Sequence, residues 1–146
     1  MGTYRIEIDE EDFKNKMEIA LEGIKIDVVD KLQSKLTQSH GKDTGALSAS
    51  IPANSKVDGY DLTIGMAEHG KYLEWGTPPH FPPPDKLKGW VQRKWGVSPE
   101  EADQYAFLLA KIISERGTRP FPFIRPTFEN DVGPIIKKNI IRAFKD

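Results

Sequence analysis

The chain has 146 residues, 38% of them hydrophobic and 29% charged, with 21 basic against 22 acidic side chains and a formal net charge of -1. That length suits one globular domain burying roughly 70% of its unfolded surface, and the near-neutral balance gives no whole-molecule attraction to nucleic acid or an anionic membrane. The lack of cysteine excludes disulfides, thiolate metal sites and a cysteine nucleophile, and fits a reducing compartment.

No run approaches the ~18 consecutive apolar residues of a membrane helix, and the acidic start is a poor signal peptide. The expectation is a soluble protein made in the cytoplasm. Thr3 to Ile8 alternates Tyr4, Ile6 and Ile8 with Arg5 and Glu7, which predicts a short half-buried strand. Asp9 is placed to cap a helix whose first turn carries Glu10, Glu11 and Asp12, favourable at a positive helix end. Phe13, Met17, Leu21, Ile24, Val28, Leu32 and Leu36 follow at three- and four-residue steps, so one long amphipathic helix is predicted from about Glu10 to Thr37. Gly41 in the polar loop after it is a helix-terminating residue.

A hairpin is predicted next. Asp58-Gly59 reads as a two-residue turn with Val57 facing Tyr60, giving the pairs Ser55–Leu62, Ala53–Ile64 and Ile51–Met66. Tyr60, Leu62, Ile64 and Met66 then share the buried face. Lys71 to Trp75 reads as a further strand beside it. Prolines 78, 79, 82, 83 and 84, interrupted by His80 and Phe81, make a stiff extended loop.

Two helices are expected after the loop. One spans about Asp85 to Trp95. The other starts at Ser98-Pro99-Glu100-Glu101, with a capping serine, a first-turn proline and a glutamate at the capping-box position, and runs to about Glu115. A second proline-aromatic segment covers 117–126. The last helix, about Thr127 to Phe144, carries Phe128, Val132, Ile136, Ile140 and Phe144 as its apolar side and is bent at Gly133-Pro134. The whole is an α+β fold of one domain, 1–146: a small antiparallel sheet (hairpin plus one or two strands) on a long N-terminal helix, with a C-terminal helix. Residues 78–117 form a proline-rich loop and helical insertion.

No catalytic kit is visible, and neither a cofactor nor a metal is expected. His40, His69 and His80 form no His-x-x-x-His pair; Glu68, His69, Glu74 and His80 are the one set that could in principle ligate a metal, but acidic residues and histidines near a loop are common without one. Gly41-Lys42-Asp43-Thr44 lacks the leading glycine and strand of a phosphate loop. No serine has a Gly-x-Ser-x-Gly setting, and Glu10-Glu11 and Glu100-Glu101 are explained by helix starts. Lys86, Lys88, Arg93 and Lys94 around Trp90 and Trp95 allow an alternative, a nucleic-acid-binding accessory protein that stacks bases on rings. Trp75, His80, Phe81, Phe121 and Phe123 lie in loop-like sequence, as core plugs or as exposed contact residues.

Three segments occur in a telling order: Thr44-Gly45-Ala46-Leu47-Ser48-Ala49-Ser50-Ile51, then Tyr72-Leu73-Glu74-Trp75-Gly76-Thr77, then Pro122-Phe123-Ile124-Arg125-Pro126. In that order the chain resembles the minor-tail, tail-completion and head–tail joining (neck) proteins of long-tailed bacteriophages and prophages. The doubled Pro-Phe at 120–123 and the long stretch from Asp85 to Glu115 depart from that pattern. The resemblance implies a virion-assembly subunit with no enzymatic activity, joining head to tail or completing the tail. Its implied partners are other neck or tail subunits and copies of itself in a ring, without membrane or nucleic acid. The implied location is the bacterial cytoplasm during assembly and then the virion neck or tail. Its motif or contact residues would be Glu74, Trp75, Gly76, Thr77, His80, Phe81, Phe121, Phe123 and Arg125. Glu74 is expected to pair with Arg125 or Arg119 and pin the second and third segments together.

Overall fold

The computed structural model describes residues 2–39 and 44–145; the expected terminator Gly41 and the pseudo-phosphate-loop residues 41–43 lie outside these. Helix α1 runs Glu10–Thr37, with Asp9 accepting from the Asp12 amide. Its face of Leu21, Ile24, Val28, Val29, Leu32 and Leu36 forms the spine of the main core with Leu47, Ile51, Phe123 and Ile135. The predicted stripe holds from Leu21 onward. Phe13 instead projects past the core, against the rings of Tyr60 and Phe144.

Helix α2 (Gly45–Ala53) replaces the expected first strand. Leu47 and Ile51, four residues apart, are both buried under α1, and one apolar face at helical spacing outweighs the alternation read around Pro52. The hairpin survives with its register shifted by two residues. Strands β1 (Lys56–Asp58) and β2 (Asp61–Thr63) pair antiparallel as Lys56–Thr63, Val57–Leu62 and Asp58–Asp61. The turn is therefore Gly59-Tyr60, with Gly59 at φ +60°, the glycine-first turn that matches strand twist. Tyr60 is correspondingly exposed rather than buried. Ser55 and Ser50 finish the work expected of more strand: their hydroxyls accept from the amides of Gly65 and Ala67.

Residues Lys71 to Trp75 also fold as helix, within α3 (Gly70–Trp75). The N-terminal segment Thr3–Ile8 forms no strand and is exposed, with no regular secondary structure. Helices α4 (Pro84–Trp95) and α5 (Pro99–Arg116) are the two expected helices and pack together as a hairpin, and Ser98 caps α5 by accepting from Glu101 N–H. They bury their own small cluster of Val91, Ala102 and Ala106. The C-terminal helix begins as α6 (Ile124–Pro126), passes through a π-helical turn (Thr127–Asp131), and continues as α7 (Val132–Phe144). The irregular turn thus precedes Gly133-Pro134. A π turn adds a residue to the helical count, which rotates the expected stripe: Ile135 and Asn139 are buried, while Phe128, Ile136 and Ile140 face out. The fold is α+β, mostly helical with a two-stranded antiparallel sheet.

Candidate functional site

Among the described residues Glu74 is the one carboxylate buried to near-completion, with 1% relative exposure. Its Oε2 accepts from the amides of Phe123 (2.6 Å) and Ile124 (2.8 Å), and its Oε1 from the amide and Nε of Arg125, both at 2.9 Å. Those three amides open α6, where a helix has no internal acceptors. Phe123 occupies the capping position and has no side-chain oxygen with which to cap. Glu74, 49 to 51 residues away, supplies the missing cap and complements the positive end of the helix. Burial pushes the Glu74 carboxyl up, but the amides of Arg125, Ile124 and Phe123 and the Arg125 guanidinium outweigh it and hold the group below its ordinary range.

Geometry on both sides fixes the clamp. Gly70 lies against Met66 and Leu47, so α3 sits close on the core. Phe121 N–H donates to Leu73 O at 2.7 Å. Beyond α3, Gly76-Thr77 and Gly117-Thr118 meet as an antiparallel bridge, with amide–carbonyl bonds of 3.2 and 3.1 Å and the two threonine hydroxyls 2.8 Å apart. Both glycines have φ near +70° (+71° and +70°), and each Cα faces the carbonyl of the opposing threonine. Only glycine fits there without displacing backbone.

The nine expected residues therefore divide. Glu74, Gly76, Thr77, Phe123 and Arg125 come together in this junction, with Phe123 fully buried in the main core. Trp75 is 64% exposed, yet its ring carries the Arg125 guanidinium 3.9 Å above its centre, a cation–π contact. Phe121 is half-buried against the core. His80 and Phe81 stand apart: the His80 ring bonds its own loop at Pro78 O, and Phe81 lies edge-on to Phe107 on the helical hairpin. Thr118 was missed in sequence, although the repeated Gly-Thr pair is a visible signal. Also missed was Asn139, whose side-chain amide donates to Asp27 across the α1–α7 contact and to Ile135 O within α7.

The Lys/Trp cluster is largely self-occupied. Trp90 packs on Trp95 and Trp95 on Tyr105, with centroids 5.7 and 5.6 Å apart, and Lys88 pairs with Asp103. Among the described residues no three His, Asp or Glu side chains converge as a metal site, and no helix is long and apolar enough to cross a membrane. Chemically, Glu74 has both oxygens engaged by the chain's own donors and is closed to solvent. It is built to hold two segments together. No family model matches the chain, and neither a curated protein nor a solved structure does.

Proposed function

We propose that this chain is a structural subunit of a phage or prophage neck or tail, joining head to tail or completing the tail through protein–protein contacts with copies of itself and neighbouring subunits. The observation that carries the proposal is the Glu74 clamp. The segments Tyr72–Thr77 and Pro122–Pro126, two of the three on which the family resemblance rests, are joined by four hydrogen bonds to one buried carboxylate. Residues that a catalytic reading would recruit are used for rigidity, which suits a subunit whose task is to present surfaces. Exposed apolar side chains are plentiful, including Phe107, Leu108 and Ile112 on α5 and Phe81 in the loop before α4.

The test is quantitative mass spectrometry of particles induced from the source strain and purified by density. Peptides from this chain at a few copies per particle, far below the major capsid protein, are the expected result. Absence from intact particles with abundant protein in the lysate would overturn the virion role.

A further inference from the structure

The N-terminal arm has the sequence of a strand and is paired with none among the described residues. Tyr4, Ile6 and Ile8 are 94%, 89% and 68% exposed, the highest values among the exposed large hydrophobic residues. The two-stranded sheet meanwhile has no third strand on either edge among the described residues, and such a sheet is marginal alone. Its two-residue turn makes Asp58–Asp61 a hydrogen-bonded pair, so the amide and carbonyl of Val57, one residue along, point outward from β1.

We propose that the arm of one copy adds to β1 of a second copy as an antiparallel strand, with Ile6 opposite Val57. This register places Arg5 against Asp58 and Glu7 against Lys56. Both charge pairs are complementary, and an edge lysine that would ordinarily discourage strand addition is answered by a carboxylate. Alternation then sets Tyr4, Ile6 and Ile8 on the face of Val57, which packs toward the core. Ile26 of α1, 61% exposed, lies beside Ser55 at the start of β1 and extends that apolar face. Main-chain bonds and alternate side chains together are the ordinary chemistry of strand addition.

The alternatives fare worse on charge. Ser55 shares a hollow with Ile26 and Val29, whereas Tyr60 beyond β1 touches Phe13, so β1 runs toward the start of α1. An arm folded back along its own helix runs the same way and meets β1 in parallel. Centred on Val57, it would set Arg5 against Lys56 and Glu7 against Asp58. On the β2 edge, an antiparallel arm centred on Leu62 would set Glu7 against Asp61.

Strand exchange rests on the assembly-subunit function only for its biological setting. A chain absent from particles could still exchange arms, and a chain present in them could still lack the exchange. The cysteine-free sequence makes the test direct: R5C and D58C proteins are mixed, oxidised and compared with R5C mixed with D61C. Arg5 and Asp58 would form a non-hydrogen-bonded pair, close enough for a disulfide. Expected is an intermolecular disulfide at least tenfold more abundant for R5C with D58C than for the D61C control. Sedimentation of the cysteine-free protein should show self-association that R5E/E7K weakens about tenfold and R5E/E7K/K56E/D58K restores. Equal cross-linking to both edges, no cross-link at the highest soluble concentration, or an internal disulfide in an R5C/D58C chain would each overturn the proposal. All these sites are exposed, and circular dichroism verifies that each variant folds.

Discussion

Removing the Glu74 carboxylate should destabilise the fold far more than removing the arginine paired with it. In Glu74→Ala, three backbone amides and the Arg125 guanidinium lose their acceptor in a site 1% exposed. Breaking a buried, hydrogen-bonded charge pair in this way costs about 3–5 kcal/mol. Glu74→Gln keeps the shape and one oxygen. If that oxygen serves Phe123 and Ile124, the new NH₂ group confronts the two donors of Arg125, costing about 1–3 kcal/mol. Arg125→Ala leaves the carboxylate with all three amides. It removes an ion pair whose arginine side chain is 43% exposed, together with the Trp75 stacking contact, so solvent-discounted losses of about 1–2 kcal/mol are expected. For a chain of this size each kcal/mol moves Tm by roughly 2–4 °C, giving a drop of about 6–20 °C for Glu74→Ala. Urea titrations followed by circular dichroism would rank the three variants. Equal losses in Arg125→Ala and Glu74→Ala would refute the capping account, because the guanidinium and not the amides would then hold the carboxylate. So would a Glu74→Gln protein as stable as the native one.

The acid response of the same group has a defined sign. Its folded-state pKa lies below the ordinary 4.5, so the stabilisation is complete above that value and is lost as pH falls through the folded-state pKa. The Tm difference between native protein and Glu74→Gln should hold steady above pH 4.5 and shrink in acid; a difference that grew in acid would contradict the shift. Gly76→Ala and Gly117→Ala should each cost more than about 3 kcal/mol by adding a clash to a glycine-only conformation. Gly96→Ala, left-handed but in open space, should cost only about 1–2 kcal/mol, and chemical denaturation separates the two cases. At the crossing of α1 and α7, a Cβ on Gly23 would collide with the Asn139 amide. Gly23→Ala and Asn139→Ala should therefore be less damaging together than the sum of the singles, and a double-mutant cycle showing simple additivity would count against direct contact.

How far these features could be read from sequence depended on whether the signal was local. The long stripe of α1 and the Ser98-Pro99-Glu100-Glu101 start carried their own periodicity and capping chemistry, and both appear where expected. Glu74 and Arg125 were legible as opposite charges in two neighbouring motifs. The larger part of that site was not, because amides at a helix start have no side-chain signature. The errors have the same origin. Leu47 and Ile51 suit a helical face as well as a strand, and short apolar runs are decided by tertiary packing. The last helix was misphased because nothing in Thr127–Asp131 announces a π turn. The arm at Thr3–Ile8 reads as a strand by alternation alone, and among the described residues no strand pairs with it.

The clamp sits where the helical excursion joins the rest of the molecule. The helical hairpin of α4 and α5 buries a cluster of Val91, Ala102 and Ala106 that is separate from the main core. A cluster so small and alanine-rich gives little purchase for orienting a 12-residue and an 18-residue helix against the rest of the molecule. Orientation is set instead at the base. Thr77 and Thr118 bridge where the excursion leaves and returns, His80 N–H donates to Ile113 O, and the Glu74 carboxylate ties α3, just before the excursion, to the start of α6, just after it. Phe107, Leu108 and Ile112 on α5, with Phe81 from the preceding loop packed edge-on to Phe107, are all at least 50% exposed. Apolar side chains presented on a braced base lose less conformational freedom on association than the same side chains on a mobile loop. On the proposed subunit role, Gly117→Ala, which loosens the base without touching the exposed apolar residues, should lower incorporation into particles; normal copy number by mass spectrometry would count against binding through this hairpin.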